Sequence, residues 1–380
     1  MKLVIAQANL TLKGGAERVI LKIAQHYGAT IYTAEYKEHG TFDEFKAIDI
    51  KIIGRGIFGK IMPYGRMTQG LDYGMGFYNF KVEEDYDVIN AHISPSNWIR
   101  KHNERVLWYC HTPLREVYDL YGYRMSLRKP IKKPVYAAGA RIVRHIDRKV
   151  TNDIEFIFAN SGNTKKRISK YLKRDDAKVL PGGVDCEKYR NRGDKKYFLY
   201  PSRISPNKRQ DYAIEAFKEF RKNKKFRDYK LIILGDISKD RFYYEYYLKV
   251  MKLAAETGNV TVAGGVSEPE LIDFYSKSTA VLYTPFNEDY GLVPLEAMAS
   301  GKPVIAVNEG GPKETIIDGK TGFLANSKEE MAKKMALVAG DADLADSIGK
   351  NGIERVKSHY SWERFFKQFD VGLKKVRDSE

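Results

Sequence analysis

Short apolar runs alternate with stretches of helical period along nearly the whole chain, the pattern of βα units that build parallel sheets. In the first half the runs fall at Lys2–Ala8, Ala29–Ala34, Ile48–Ile53, Asp87–Ala91, Arg105–Tyr109 and Phe156–Ala159. The pattern then restarts, with runs at Tyr197–Pro201, Lys230–Leu234, Val260–Ala263, Ala280–Tyr283 and Pro303–Ala306. Between the halves, Glu187–Lys196 is almost wholly polar and reads as a linker. The expected boundaries are a first domain over residues 1–186, a linker over 187–196 and a second domain over 197–360. Beyond them, Ser361 is a candidate N-cap for a helix with Trp362, Phe365, Phe366, Phe369 and Leu373 on one stripe, long enough to need a surface to cover. Two doubly wound α/β domains facing each other would bind a ligand in the cleft between them, at the carboxyl ends of the strands.

Size supports two domains, because 380 residues and 43.6 kDa exceed what one core usually sustains. A chain that is 43% hydrophobic and 30% charged, with a mean hydropathy of −0.48, is neither disordered nor an integral membrane protein. The opening apolar run is too short for a signal peptide, and no stretch approaches the roughly 20 apolar residues that span a bilayer. Cys110 and Cys186 lie too far apart for a zinc or disulfide spacing and read as reduced thiols of a cytosolic protein. The net charge of +16 is uneven: between Arg100 and Arg174, 19 Lys and Arg stand against 6 Asp and Glu. Such a segment points to nucleic acid, anionic lipid or a phosphorylated ligand.

The stretch Asn287–Gly301 carries the most chemistry. Pro294 suits a first helical position and Gly301 the residue just past a short helix. That places Glu288 on a loop, Glu296 in the first helical turn, and the free N–H groups of Gly291 and Leu292 between them as an anion site. One carboxylate can hold hydroxyls at one end of an elongated ligand and the other those at the far end, with a diphosphate on the amides. The alternative is that Glu296 only complements the helix dipole and Glu288 is solvated. Arg203 and Lys208 leave the carboxyl end of the first strand of the second half, before a helix that Asn207 could cap. Two cations there match a ligand with phosphates and hydroxyls. In the first half, Lys13-Gly14-Gly15-Ala16-Glu17 opens a helix after strand one, a phosphate-loop position without GxGxxG or P-loop spacing. His111 ends the fifth strand, at the edge where a ligand would sit, although a lone His is more often structural.

Taken together these residues resemble the retaining glycosyltransferases of GT-B architecture, family 4 or glycosyl transferases group 1. That family includes sucrose synthases, bacterial-type glycogen synthases and many mannosyltransferases of O-antigen and glycolipid assembly. The resemblance covers essentially the full length. It rests on Gly14-Gly15-Ala16-Glu17, His111, Ala159-Asn160-Ser161, Pro181-Gly182-Gly183-Val184-Asp185, Arg203 and Lys208, Glu288 with Glu296, Gly310-Gly311-Pro312-Lys313-Glu314, and Asp318-Gly319-Lys320-Thr321-Gly322-Phe323-Leu324. It implies that Glu296 binds the nucleotide ribose and that Glu288 and His111 contact the transferred sugar. It also implies that Arg203 and Lys208 neutralise the diphosphate, that the Gly15 loop approaches the phosphates, and that the C-terminal helix, residues 361–380, crosses back onto the first domain. No metal and no cofactor are implied, because the charge on the leaving nucleoside diphosphate falls to Arg203, Lys208 and helix-terminal amides. Retention in this family is described as departure and attack on one face of the sugar.

The segment Tyr109–Tyr121 with Arg141–Arg148 is similar to GDP-mannose-dependent enzymes of the family, which favours GDP-mannose over UDP-glucose or UDP-GlcNAc. Guanine recognition would need a carboxylate or backbone group near Val266, Ser267 and Glu268. From Leu127 to Lys149 eight Lys or Arg interleave with Leu127, Ile131, Val135, Ile142 and Ile146, either as a face that lies on anionic lipid or as a core-facing helix with a solvated basic side. Pro130 and Pro134 argue against one continuous helix there. A nucleic-acid binder is the alternative of another class, but no nucleic-acid module or stacking platform is present. The loops between Gly54 and Tyr78, with Phe58, Met62, Tyr64, Met67, Tyr73, Met75, Phe77 and Tyr78, either line an apolar groove for a glycan or lipid-linked acceptor or pack into the core. The expected protein is cytoplasmic, peripheral at the inner face of the membrane.

Overall fold

A computed structural model describes residues 1–56, 66–238 and 241–379. The chain forms two compact units, Met1–Pro181 with Phe365–Glu380, and Gly182–Arg364.

In the first unit the strands are β1 (Leu3–Gln7), β2 (Thr30–Thr33), β3 (Ile50–Ile52), β4 (Val88–Ala91), β5 (Val106–Cys110), β6 (Phe156–Ala159) and β7 (Lys178–Val179). They make one parallel sheet in the order β3-β2-β1-β4-β5-β6-β7, with Ile5 opposite both Ile31 and Asn90. The central strands β1, β4 and β5 are buried at every residue, which is why they read as mainly apolar runs, with Gln7 and Asn90 as buried polar exceptions. Helices α1 (Gly15–Tyr27), α2 (Arg66–Asn79), α3 (Tyr121–Ser126), α4 (Lys133–Asn152) and α5 (Gly162–Leu172) accompany them. The basic segment resolves into a 3₁₀ turn, Pro130–Lys132, followed by α4, with Pro134 in its first turn where no N–H is needed. α2 occupies part of the expected Gly54–Tyr78 loops. Tyr73 and Phe77 are core residues and Met75 and Tyr78 pack against that core, whereas Phe58, Met62, Tyr64 and the Met67 side chain lie outside the described residues.

The second unit has β8 (Tyr197–Pro201), β9 (Lys230–Leu234), β10 (Val260–Ala263), β11 (Ala280–Tyr283), β12 (Val304–Val307) and β13 (Phe323–Ala325), parallel in the order β10-β9-β8-β11-β12-β13. Its helices are α6 (Gln210–Phe220), α7 (Arg241–Thr257), α8 (Glu268–Lys277), α9 (Leu292–Ala299), α10 (Pro312–Thr315), α11 (Lys328–Gly340) and α12 (Ala342–His359). Residues 187–196, polar as they are, lie within this unit. The amides of Arg192 and Lys195 bond the carbonyls of Ser276 and Lys277, and Tyr189 is buried. β7 and β13 are additions to the strands read from sequence.

The last helix, α13 (Trp362–Arg377), starts with Ser361 Oγ accepting from the Arg364 amide. From Phe365 onward it belongs to the first unit, burying Phe365, Phe369, Leu373 and Val376. Phe369 stacks on Phe158 with ring centroids 6.0 Å apart, and Phe366 stacks on His26 at 3.8 Å.

Candidate active site

In the second unit, β8 runs out into Ser202 and an exposed Arg203, then into a 3₁₀ turn, Pro206–Lys208. Asn207 does not cap α6. The cap position is Arg209, held left-handed at φ 53°, while Asn207 Oδ1 accepts from Ser205 Oγ. The Lys208 carbonyl accepts from the hydroxyls of Tyr200 and Thr284, so buried groups of β8 and of the residue after β11 aim its side chain. Lys208 Nζ then meets Glu288 Oε2 at 2.6 Å, both side chains being largely buried. Arg209 donates to the Thr284 carbonyl at 2.7 Å and to Glu309 Oε1 at 3.0 Å, and Glu309 Oε2 accepts from the Asn287 amide at 3.2 Å. The Gly311 amide donates to the Glu288 carbonyl at 2.8 Å. Glu288 is therefore held at its carboxylate by Lys208 and at its carbonyl by Gly311, while the Arg209–Glu309 brace holds the preceding Asn287.

Gly291 caps α9 at φ 86°, where a Cβ would lie 2.8 Å from the Tyr283 hydroxyl, so both backbone geometry and space call for glycine. α9 begins at Leu292, which makes Pro294 its third residue and moves Glu296 past the first turn. The expected first-turn placement fails because the chain is already helical before the proline. Gly301, left-handed at φ 65°, does follow the helix end. Tyr275 on α8 donates to Glu296 Oε2 at 2.8 Å, orienting that carboxylate, and burial beside Glu296 raises the Tyr275 hydroxyl pKa far above its usual value. Val266 lies between Gly265 and the Ser267–Glu270 capping box that starts α8. A Cβ on Gly265 would collide with Asp236 Oδ1, so an exposed carboxylate stands directly beside that loop.

In the first unit, Gly14 is the extended N-cap of α1 and Gly15 its first residue. A Cβ on Gly14 would strike the buried Glu17 carboxylate, which accounts for that glycine within the fold itself. His111 follows β5, is 8% exposed, and its carbonyl accepts from Asn160 Nδ2 at 3.0 Å. Its Nε2 lies 3.0 Å from His92 Nδ1, and His92 Nε2 lies 2.7 Å from Asn90 Oδ1. Burial pushes the His111 pKa down to about 3, and burial together with His111 pushes that of His92 well below the usual range.

These two rings set an acid limit on the first unit. Their folded-state pKa values lie below the unfolded 6.5, so as pH falls from about 6.5 the unfolded chain binds protons that the folded one refuses. Stability is lost in that window, by up to about 1.4 kcal/mol per pH unit for each ring. Asp147, whose carboxyl burial pushes above the usual carboxylate range, works in the opposite sense, the folded chain taking up its proton before the unfolded one does. Urea unfolding between pH 7 and 4 is expected to show falling midpoints, with a shallower fall in His92→Gln.

Sequence reasoning missed Arg209, Glu309, Tyr275, Asp236 and the Asn90–His92 pair. Only the last had a visible signal, two polar residues ending an otherwise apolar central strand. Among the described residues no group of three or more His, Cys, Asp or Glu is placed to hold a metal ion. Two Asp-x-Asp triplets occur, but Asp87 accepts from the Lys2 amide and Asp341 caps α12.

Two parallel-sheet Rossmann-like units with this topology define a GT-B glycosyltransferase fold. Sucrose-phosphate synthase from Thermosynechococcus elongatus superposes with a TM-score of 0.78 at 17% identity over 99% of each chain. HepE from Anabaena, in complex with UDP and glucose, gives 0.74 at 17% identity over 98% of this chain and 99% of that one. The family model described as Glycosyl transferases group 1 matches residues 183–355, and that of Glycosyltransferase Family 4 matches residues 13–188. The chain belongs to this glycosyltransferase family. Among its relatives, the alpha-1,3/1,6-mannosyltransferase ALG2 of Dictyostelium discoideum is 27% identical over 96% of each chain. The human ALG2 mannosyltransferase is 28% identical over 93% of this chain and 91% of its own.

Proposed function

We propose that this glycosyltransferase moves mannose from GDP-mannose, with retention, to a glycan or lipid-linked acceptor. The observation that carries the reading is the ion pair between Lys208, in the turn after β8, and Glu288, which stands on the same loop-and-helix segment as Gly291, Leu292 and the Tyr275-oriented Glu296. In this reading Glu296 holds the ribose, and the diphosphate takes Lys208, Arg203 and the amides at the start of α9, with the Gly14–Gly15 loop approaching the phosphates. Glu288 and His111 contact the sugar. As the bond from the anomeric carbon to the diphosphate breaks, the growing negative charge faces fixed cations. Glu288, paired with an ammonium, orients hydroxyls and is not a nucleophile.

Mannose is favoured by the mannosyltransferase relatives, which match nearly the whole chain. The guanine base is favoured by Asp236 beside Val266, because a carboxylate can accept from both the N1–H and N2–H₂ donors of guanine, whereas uracil offers it a single N–H. A donor screen tests the reading. Turnover of GDP-mannose is expected to exceed that of UDP-glucose and UDP-GlcNAc and to be unchanged by EDTA, and Asp236→Ala is expected to narrow the gap. Preference for a UDP-sugar overturns the donor assignment, and chelator-sensitive turnover overturns the charge assignment.

No described helix is long and apolar enough to cross a membrane. In the basic segment, Tyr136, Ala140, Val143 and Val150 face inward, while Leu127, Ile131, Val135 and Ile142 are exposed, Ile131 at 83%, among Lys129, Lys132 and Lys133. Apolar groups set in a basic surface suit an anionic bilayer, which supports peripheral attachment at the cytoplasmic face of a membrane. Co-sedimentation with anionic but not zwitterionic vesicles is expected, weakened by salt and by neutralising the three lysines. Equal indifference to both vesicle types at low salt overturns the attachment.

A further inference from the structure

The Asn90–His92–His111 chain has a direction. Asn90 Nδ2 donates to the carbonyls of Leu107 at 3.2 Å and Ala91 at 3.4 Å, which turns its Oδ1 towards His92. That oxygen only accepts, so the proton of His92 sits on Nε2. A neutral His92 then offers a bare Nδ1, which requires His111 to bring a proton on Nε2. His111 is left with a bare Nδ1; the ring's hydrogen bond among the described residues is the one at Nε2, and the residue keeps 8% exposure.

We infer that Asn90 and His92 are positioning residues that lock His111 in its Nε2–H tautomer, presenting Nδ1 as a fixed hydrogen-bond acceptor for a hydroxyl of the transferred sugar. The inference rests on the reading above, in which His111 faces that sugar. It deepens it by fixing what His111 does. The ring orients a hydroxyl and does not take its proton, because an imidazole buried this deeply stays neutral at working pH. The chain Asn90 Oδ1, His92, His111 is built from backbone-anchored groups. Trp108 Nε1 donates to the His92 carbonyl at 2.7 Å, and Asn160 fixes the His111 carbonyl. Neither ring can turn over without stranding a buried donor or acceptor.

Two measurements on the full chain test it. Long-range nitrogen–proton NMR of ¹⁵N-histidine protein reads the ring states directly. Both residues are expected to carry their proton on Nε2 at pH 5–8, and a His111 proton on Nδ1, or a titration in that range, overturns the relay. The second is GDP-mannose turnover in His92→Met and His92→Gln, both checked for cooperative thermal unfolding. Glutamine can donate to Asn90 and accept from His111, whereas methionine fills the space and does neither well. His92→Met is expected to lower kcat about 10–100-fold, the range typical of residues that orient a functional group. The donor KM should move less than about threefold, and His92→Gln should recover at least about tenfold of the loss. Equal activity of the two variants overturns the positioning role. Absence of turnover in the unmodified protein, with both rings protonated as stated, overturns the transferase reading while the relay stands.

Discussion

Lys208→Ala is expected to lower kcat for donor turnover about 10²–10³-fold, the scale seen when one preorganised charge donor is lost at a site of developing negative charge. Two effects combine. The ammonium that would meet the leaving diphosphate disappears, and Glu288, 2.6 Å from it, keeps its negative charge beside that same group. Replacement by arginine is not neutral either, because a planar five-donor fork takes the place of the single point charge that meets Glu288. Glu296→Ala provides the contrast. On the proposed reading it removes ribose hydrogen bonds that are equal before and during bond breaking, so the donor KM is expected to rise with kcat nearly kept. Single-turnover kinetics across a GDP-mannose titration separate the two. Normal kinetics in both variants would overturn the site assignment with the fold intact.

Phe369→Ala is expected to destabilise the first unit by about 3–5 kcal/mol, the usual cost of emptying a large buried aromatic site. Phe369 is fully buried, with Phe365 at 5.5 Å and Phe158 at 6.0 Å between ring centroids. Its site cannot collapse easily, since Gly372, one turn on, already lies so close to Phe158 that a Cβ there would clash. Calorimetry should show the transition of the first unit lowered by roughly 10 °C, with that of the second unmoved. Val371→Ala on the exposed side of the same helix should leave both in place. A loss below about 1 kcal/mol in Phe369→Ala would mean that α13 adds little to the first core.

Most of the two sheets could be read from the chain because their inner strands are buried on both faces and therefore mainly apolar. The exceptions are physical. β7 is two exposed residues and β13 three residues inside a glycine-rich motif, so neither leaves a period to detect. The linker reading followed polarity, yet Arg192 and Lys195 bond through their backbone, which composition does not report. At the site, Lys208 and Glu288 were legible as motif residues, and the resemblance assigned their roles. The Arg209–Glu309 brace joins residues 100 positions apart by two surface-type side chains, a pairing that no local pattern encodes. The proline puts Glu296 in the first turn, whereas Gly291, at positive φ, lets the helix start two residues before Pro294.

The residues that finish the first unit are made after the whole of the second. On the ribosome, the sheet of the first unit emerges early but waits for Phe365, Phe369 and Leu373, while residues 182–364 form one uninterrupted stretch and can close their core first. The usual order, in which the N-terminal domain folds first, is expected to be reversed in a chain divided this way. The apolar face at Leu107 and Phe158, which the last helix covers, stays open throughout elongation, and it is the surface on which a holding chaperone would act.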